Sequence, residues 1–428
     1  MRARLQVDMT EERSTGSVQG GTNLLKVRDF NQQVVLEIIR GASGVSRTEI
    51  AHETGLTAQT ISNIVRRLLD EGLVVEAGKK SSARGGKPKV NLEINPDAGY
   101  ALGAQIDRDE IALVLLNLGG QPLRRIRHAM PASQTPEEVV HLLAKSADEL
   151  MQDAGGVGHK TLGVGVASPG PLDSEDGVLY GPPGFKGWVE VPIKEMLQEH
   201  MGLPVLVDND AMAAAVGERW VGKARGTDNF AFVYNGWGLG AGLFLEGHVY
   251  RGATGTAGEF GHMPLDPNGP ECECGNRGCL IRYCSPREIV MAVKRRLHAG
   301  EDSSLAHSWL KKPSQLDLAM IRAAANAGDR VAAEVLAASG RMVGRAIVGM
   351  VNLLDLQMVV LGGKALGEAA HIYKQQVEEA IHGKILYPDQ REVQVELSSA
   401  GEDAGAVGAA SVVLHAAYSP RLMSLRSP

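Results

Sequence analysis

The four cysteines of this 428-residue chain all fall between Cys272 and Cys284, and His262 lies ten residues before the first of them. Zinc prefers four nitrogen or sulfur ligands in a tetrahedron, and short loops with glycine can present them. Cys272, Cys274 and Cys279 with His262 supply such a set. The alternative is a group of cysteines without a metal, which the C-x-C-x4-C spacing with its two glycines disfavours. We therefore expect a closed, structural Zn²⁺ site.

The surroundings of these thiols favour metal binding over disulfides. The sequence has no run of eighteen apolar residues, and residues 1–28 mix arginines with acids and lack the apolar core of a secretory signal. A chain without export signals is expected in the cytoplasm, where clustered thiols are reduced and more often bind metal. The sequence predicts a cytoplasmic protein without membrane contact.

A second group of residues with recognisable chemistry lies far from the cysteines, in residues 29–97. Apolar spacing predicts three helices there, and Ser46 with Glu49 and then Thr57 are typical N-caps of the second and third. A strand follows Gly72. Helix, glycine turn, helix and strand in this order are typical of a winged helix-turn-helix DNA-binding domain. The predicted elements are helices 32–40, 47–53 and 58–71 and a strand at 73–77.

Several side chains of this domain are of the types that contact bases and phosphates. The wing, residues 78–89, contains five basic residues and no acid, and residues 26–90 hold eleven Lys/Arg against seven Asp/Glu in a chain of net charge −6. A flexible, solvated linker is the alternative reading of the basic run, but its place after a helix-turn-helix favours DNA. The expected DNA contacts are Ser46, Arg47, Thr57, Gln59, Thr60, Ser62, Asn63, Arg66, Arg84 and Lys87.

From Gly99 onwards the pattern changes to strands that alternate with helices, and the second half repeats the pattern of the first. Such a repeat predicts two α/β lobes that enclose a cleft. The expected division is a flexible tail at 1–28, the DNA-binding domain at 29–97, a two-lobed domain at 98–418 and a disordered tail at 419–428.

Residues 30–418 resemble the ROK family of repressors, open reading frames and sugar kinases. The most specific match is the stretch 257–279, with the pattern E-x-G-H followed by C-x-C-G-x-x-G-C; others lie at 168–173, 187–188, 208–211 and 361–363. The resemblance implies an α/β, actin-like (RNase H-like) fold of two lobes, preceded in regulators by a winged helix. It also implies that His262 completes the metal site, although Cys284, five residues after Cys279, could compete for that position.

The same resemblance implies that Asn209, Asp210, Glu259 and His262 contact sugar hydroxyls, and that Asp210 is the general base in kinase members. The chemistry agrees, because carboxylates and an amide can bind adjacent hydroxyls that each donate and accept. An alternative is that residues 208–210 only cap a helix after a strand. Both roles can coexist, since ligands bind where strands give way to helices at a cleft.

The phosphate-binding loops of the kinases are altered in this chain. The first, D-x-G-G-T in kinases, reads Gln-Ile-Asp-Arg-Asp-Glu at 105–110, with three acids and no glycine. The second, G-T-G, has Trp237 in place of the threonine, and Lys364 follows Gly362-Gly363 where kinases have a third glycine. Phosphoryl transfer depends on positioned phosphates. We therefore expect no ATP binding and no enzymatic activity.

These observations predict a sugar-responsive transcriptional regulator of carbohydrate uptake or catabolism genes, which we expect to act as a repressor. Its expected partners are palindromic double-stranded operator DNA, a small sugar effector and further copies of itself in a homodimer or homotetramer. A sugar kinase with an appended DNA-binding head is the alternative. Ile281 stands where the family has a sugar-contacting glutamate, so an acidic sugar or a protein effector is also open.

Overall fold

The computed structural model of the chain describes residues 24–42, 44–80 and 89–420. The helices in these ranges are α1 (Leu24–Gly41), α2 (Arg47–Thr54), α3 (Ala58–Asp70), α4 (Pro136–Asp153), α5 (Ile193–Met201), α6 (Asp210–Trp220), α7 (Ile281–Cys284), α8 (Pro286–His298), α9 (Ala306–Lys311), α10 (Leu318–Asn326), α11 (Arg330–Leu354), α12 (Ala370–Lys384) and α13 (Ala404–Tyr418). The strands are β1 (Val45–Ser46), β2 (Val74–Lys80), β3 (Lys89–Ile94), β4 (Tyr100–Ile106), β5 (Glu110–Asn117), β6 (Pro122–Ala129), β7 (Thr161–Ser168), β8 (Leu172–Asp173), β9 (Val178–Leu179), β10 (Val205–Asn209), β11 (Phe230–Asn235), β12 (Leu239–Leu245), β13 (His248–Val249), β14 (Met358–Gly362) and β15 (Gln394–Leu397).

The N-terminal domain is a winged helix-turn-helix, as the sequence predicts. Helix α2 begins at a reciprocal capping box, in which Ser46 Oγ accepts from the Glu49 N–H and the Glu49 carboxylate accepts from the Ser46 N–H. Thr57 caps α3, whose apolar face is buried at Ile61, Val65 and Leu68. Strands β1, β3 and β2 form the small sheet in that order.

The remainder forms two lobes with the same strand arrangement. The sheet of the first lobe has the order β10-β7-β4-β5-β6, and that of the second has β15-β14-β11-β12-β13. In each, the first three strands form an antiparallel meander, and the fourth and fifth add in parallel on the other side of the first. This repeated order confirms the predicted two-lobed fold.

Helices α6 and α13 lie between the two sheets. Helix α6 packs on β12 of the second lobe, and a Cβ on Gly242 would lie 2.3 Å from the Ala211 carbonyl oxygen. Helix α13 packs on β4 of the first lobe, and a Cβ on Gly103 would lie 2.0 Å from the Ala406 carbonyl oxygen. The two helices also touch each other at Gly408. Only glycine permits such close backbone approach, so the lobes meet through these two helices.

Two details differ from the expectation. Helix α1 begins at Leu24 and not at Gln32, so residues 24–28 are helical where the sequence predicts a tail. Apolar periodicity marks only the packed part of a helix, and a polar extension carries no such pattern. Ser419, which the sequence places in a disordered tail, is 3% exposed, and its N–H donates to the His415 carbonyl oxygen at 2.9 Å. The rest of the expected tails, residues 1–23 and 421–428, lies outside the described ranges. No helix in the described part of the chain combines the length and apolar character needed to cross a membrane.

Candidate functional site

The loop after β13 brings His262, Cys272, Cys274 and Cys279 together, with their ligand atoms all within 4.8 Å of one another. The Cys274 and Cys279 sulfurs are 3.6 Å apart, and Cys272 Sγ lies 3.6 Å from His262 Nδ1. Ligands bound tetrahedrally to zinc at about 2.0–2.3 Å have mutual separations of roughly 3.5–3.7 Å. The donor set and its spacing therefore fit one tetrahedral metal ion.

The cysteine loop is shaped by its own backbone bonds. The Cys272 N–H donates to the Asn276 carbonyl, and Gly275, between them, has a φ of 90° that favours glycine. Antiparallel bridges join Glu271 to Arg277 and Pro264 to Cys279. This tight turn directs the three sulfurs to one point and connects it to the segment that carries His262.

Cys284 does not belong to this cluster. Its side chain is buried in α7, and its sulfur donates to the Ser339 carbonyl oxygen at 3.4 Å. Burial raises the pKa of this thiol to about 12, which disfavours the thiolate that binds metal. Of the two candidates for the fourth ligand, the geometry favours His262 over Cys284.

The expected sugar contacts are divided between the two lobes. Asn209 and Asp210 lie where β10 ends and α6 begins, and both carboxamide and carboxylate accept from the Ala211 N–H, at 3.0 and 2.8 Å. Glu259 and His262 lie on a 3₁₀ turn of the second lobe. The capping role and a ligand role are compatible, because each side chain keeps further oxygen or nitrogen lone pairs.

Asp210 is the most perturbed carboxyl group of this cleft. Desolvation, followed by the charges of Asp107 and Glu259, raises its pKa to about 7. Asp210 therefore lies within electrostatic range of Asp107 and of Glu259 on the second lobe. A carboxyl group whose pKa lies near neutral pH is typical of a functional site.

A partly buried ion pair joins the two lobes beside these residues. Arg251, which follows β13, donates two hydrogen bonds of 2.7 Å to the two oxygens of Asp208, the last residue but one of β10. Asp208 is 2% exposed and immediately precedes Asn209 and Asp210. Such a bidentate pair constrains direction as well as distance. From sequence alone only a capping role was predicted for Asp208, and Arg251 carried no signal without its partner.

The three loops that the resemblance assigns to nucleotide binding contact one another through their own side chains. The Trp237 indole N–H donates to Asp109 Oδ2 at 3.0 Å, and the Arg108 guanidinium lies 4.3 Å from the centre of the Trp237 ring. Lys364 Nζ is 2.8 Å from Asp107 Oδ2. These contacts join the β4–β5 turn of the first lobe to two loops of the second.

Ile281 begins α7 and lies beside the cleft. Its Cβ is 3.5 Å from where a Cβ on Gly261 would be, and its Cδ1 is 4.0 Å from the corresponding point at Gly238. The side chain thus lies between the turn that bears His262 and the turn that bears Trp237. It places an apolar surface where the resemblance implies a carboxylate.

The outer face of α3 is the candidate DNA interface. Gln59, Asn63 and Arg66 are exposed on it, while Thr60 and Ser62 are half-buried. Gln59 Nε2 donates to Asn63 Oδ1 at 3.2 Å, and Thr57 Oγ1 lies 2.9 Å from Thr60 Oγ1. A recognition helix presents this kind of polar face to the major groove.

Four other expected DNA contacts have different outcomes. Ser46 is 3% exposed and its hydroxyl is engaged in the cap of α2, so we assign it a structural role in place of a DNA contact. Arg47, at the start of α2, pairs with Glu76 of β2 at 3.0 Å. Arg84 and Lys87 fall in residues 81–88, outside the described ranges.

Comparison with known proteins agrees with this architecture. The ROK family matches residues 101–416. The chain belongs to the ROK family. A winged helix-turn-helix DNA-binding family matches residues 31–75, so this ROK chain carries a DNA-binding domain ahead of the family domain.

Relatives of both functional types exist in the family. The chain is 30% identical to the xylose repressor of Caldicellulosiruptor bescii, over 92% of this chain and 97% of that protein. It is also 30% identical to the glucokinase of Thermotoga maritima, over 73% of this chain and 96% of that protein. A crystal structure of a ROK family transcriptional regulator, a homologue of the Escherichia coli Mlc protein, superposes with a TM-score of 0.75 at 28% identity, covering 94% of this chain and 99% of that one. The similarity to regulators therefore includes the DNA-binding head, which the kinase match leaves out.

Proposed function

We propose that this protein is a sugar-responsive, DNA-binding transcriptional repressor of carbohydrate uptake or catabolism genes. One combination of observations supports it: an exposed polar recognition helix precedes a ROK domain in which Trp237, Asp109 and Arg108 join loops that the resemblance assigns to nucleotide binding. Similarity along more than nine-tenths of the chain to a protein named xylose repressor supports it further.

In this proposal the sugar binds between Asn209 and Asp210 on one lobe and Glu259 and His262 on the other. A ligand with several hydroxyls can bridge the two lobes, because the residues lie on elements that belong to different sheets. The sugar contacts both lobes in a closed arrangement and only one lobe in an open arrangement. This difference in contacts is what favours the closed arrangement. Operator binding then weakens when the closed form holds the two heads of an oligomer at the wrong separation.

The four-ligand cluster takes Zn²⁺ in this proposal, bound by His262 Nδ1 and the sulfurs of Cys272, Cys274 and Cys279. Four protein ligands leave no open position, so the ion is structural and supplies no Lewis acid to a reaction. The protein residues then do the recognition. His262 keeps its second ring nitrogen for a sugar hydroxyl, and its fixed turn orients Glu259, three residues before it.

Kinase activity is the second candidate, because a relative named glucokinase matches the ROK domain. The Asp107–Lys364 ion pair and the Trp237–Asp109 hydrogen bond argue against it, since nucleotide phosphates would have to displace both. Asp109 would also repel them, and the turn between β4 and β5 has no glycine to offer backbone amides. Asp210 is then a sugar-binding residue without a proton-transfer role.

The effector is a neutral pentose or hexose, with xylose the first to test because of the relative's name. Ile281 narrows the range of sugars that fit, because it places an apolar group beside the pocket. We further propose that the protein acts as a homodimer or homotetramer on palindromic operators in the cytoplasm.

A direct test separates the two candidates. Purified protein is assayed for sugar-dependent ADP production with xylose, glucose and N-acetylglucosamine, and in parallel for protection of the DNA upstream of its own gene from nuclease digestion. We expect protected half-sites with a spacing near a whole number of helical turns, and no ADP above the sugar-free blank. ADP production without protection would overturn the proposal in favour of the kinase.

A further inference from the structure

One helix joins the two sites that the proposed function requires to communicate. The N-terminal end of α6 carries Asn209 and Asp210 at the candidate sugar pocket, and its C-terminal end carries Arg219 and Trp220 at the DNA-binding head. Eleven residues of helix span about 16 Å, and nine of the eleven are buried. A short, buried helix of this kind moves as a unit, so a displacement at one end appears at the other.

The contact at the head end is built from charge and an aromatic ring. Arg40 of α1 donates to the Trp220 carbonyl oxygen at 2.6 Å, and its guanidinium lies 4.1 Å from the centre of the Trp220 ring. Glu37 of α1 pairs with Arg40 at 3.2 Å and with Arg219 of α6 at 2.9 Å. Arg225 also donates to the Trp220 carbonyl oxygen, at 3.1 Å. One carboxylate thus links the head to α6.

The junction between the head and α6, formed by Glu37, Arg40, Arg219 and Trp220, is supported by both lobes. Helix α6 packs on the sheet of the second lobe, and α13 packs on that of the first. Leu36 of α1 belongs to the same apolar cluster as Trp220 of α6 and Leu414 of α13. A change in the angle between the lobes therefore changes the surface on which α1 sits.

The junction is also incompletely hydrogen-bonded. Within the described residues, Arg40 Nε, Arg219 Nε and Trp220 Nε1 are buried and have no hydrogen-bond partner. Burial, with the charges of Arg219 and Arg225, lowers the pKa of Arg40 to about 10 against the opposing effect of Glu37. Buried polar groups are nearly always paired. The unpaired donors therefore lower the free-energy cost of displacing this junction, because fewer hydrogen bonds must be broken.

We propose that α6 is the coupling element of this protein, and that the Glu37–Arg219 ion pair and the Arg40–Trp220 contact transmit sugar binding to the DNA-binding head. The inference rests on the proposed function, because it concerns the coupling of the sugar site to the DNA site. Sugar draws the Asn209–Asp210 end of α6 toward the second lobe. The opposite end of α6 then displaces the surface on which α1 packs. The recognition helix then changes its angle without any change in its own contacts.

The test measures the coupling directly. Operator dissociation constants are determined by fluorescence anisotropy with and without saturating effector for the wild type, Glu37→Gln and Arg219→Gln, and sugar affinity is determined separately by calorimetry. Glu334→Gln is the matched control, since it removes a carboxylate that pairs with Arg296 and Arg330 in the second lobe and does not contact α6. Thermal melts establish that each variant is folded.

Couplings between sites are typically 5- to 150-fold in affinity, and we expect the wild type and Glu334→Gln to fall in that range. In Glu37→Gln and Arg219→Gln we expect the ratio of the two operator constants to fall roughly fivefold toward one, with sugar affinity and sugar-free operator affinity within about twofold of wild type. Equal ratios in folded wild type and both variants would overturn the role of α6. A wild type that no sugar releases would instead contradict the proposed function, so the two failures are distinct.

Discussion

Arg251 and Asp208 join the two lobes beside the candidate sugar pocket, through two hydrogen bonds of 2.7 Å from one guanidinium to one carboxylate. Asp208 belongs to the strand that ends in Asn209, and Arg251 begins the loop that ends in Glu259. The pair therefore sets the distance between residues that we propose to bind opposite sides of one sugar.

Arg251→Met should weaken both folding and sugar binding. It leaves the Asp208 carboxylate, only 2% exposed, without its partner. Loss of one member of a fully buried pair costs about 3–5 kcal/mol, but the Arg251 side chain is 38% exposed, so we expect roughly 1–3 kcal/mol in urea denaturation. Sugar affinity should fall about tenfold, because a displaced pocket that loses about 1.4 kcal/mol of binding free energy has that effect.

Arg330→Met is the control for this change, because Arg330 pairs with Glu334 and Glu301 at an exposed site. We expect it to cost less than about 1 kcal/mol and to leave sugar affinity unchanged. Sugar affinity that is equally insensitive to Arg251→Met would show that the ion pair does not organise the pocket.

Sugar affinity should depend on pH through Asp210. The pKa of this carboxyl is about 7, raised chiefly by desolvation, so the ionised acceptor is a minor form at pH 6 and the major form at pH 8. We expect affinity measured by calorimetry to rise roughly tenfold between these values. Asp210→Asn should abolish this dependence. A wild type with constant affinity from pH 6 to 8 would contradict the assignment.

The same pKa shift has a consequence for stability of the sugar-free protein. Because the folded-state pKa lies above the ordinary value of 3.8, the folded state binds more protons between about pH 4 and 7. The contribution of Asp210 to stability is then complete below pH 4 and is lost as the pH rises through 7. Asp210→Asn should therefore raise the melting temperature at pH 8 and change it little at pH 4. Melting temperatures that change equally at both values would contradict this sign.

Substitution of single cysteines should separate the metal ligands from the buried thiol. Cys274→Ala removes one of four ligands, and we expect metal content, measured by plasma mass spectrometry, to fall from one zinc per chain to well below half. The sugar response should be lost with it. Cys284→Ala removes a thiol that donates to Ser339, and it should keep its zinc. Retention of zinc by Cys274→Ala, or its loss from Cys284→Ala, would refute the proposed ligand set.

Arg66→Ala should weaken operator binding without affecting the ROK domain. Arg66 is exposed on α3, and loss of one phosphate contact should lower affinity about 5- to 10-fold and reduce the slope of log affinity against log salt by about one. Zinc content and sugar affinity should not change. Arg124→Ala, at an exposed position of β6, is the control and should leave operator affinity unaltered. An unchanged salt slope in Arg66→Ala would remove Arg66 from the interface.

The sequence predicted the local features of this structure well, because each had a local chemical cause. Ser46 and Thr57 lie at helix starts since their hydroxyls accept from orphan N–H groups. The cysteines revealed their cluster through spacing within one loop. The same local logic misassigned Ser46 to DNA, because a residue type that caps a helix also suits a phosphate, and only burial distinguishes them.

Contacts between distant segments could not be predicted in this way. Asp107 lies 257 positions before Lys364, and nothing near either residue indicates the ion pair that joins them. The Arg40–Trp220 contact likewise depends on how the head is seated on α6 and α13. Pairs of this kind arise from the order of strands in the two sheets, which apolar periodicity does not determine.

The central claim is that sugar binding at the cleft controls operator binding by the head. The most direct measurement is fluorescence anisotropy of the DNA upstream of the protein's own gene, titrated with protein in the presence and absence of xylose and a panel of other neutral sugars. We predict tight binding without sugar, and a loss of affinity of roughly 5- to 150-fold with one of the sugars. Operator binding that none of the sugars alters would contradict the account.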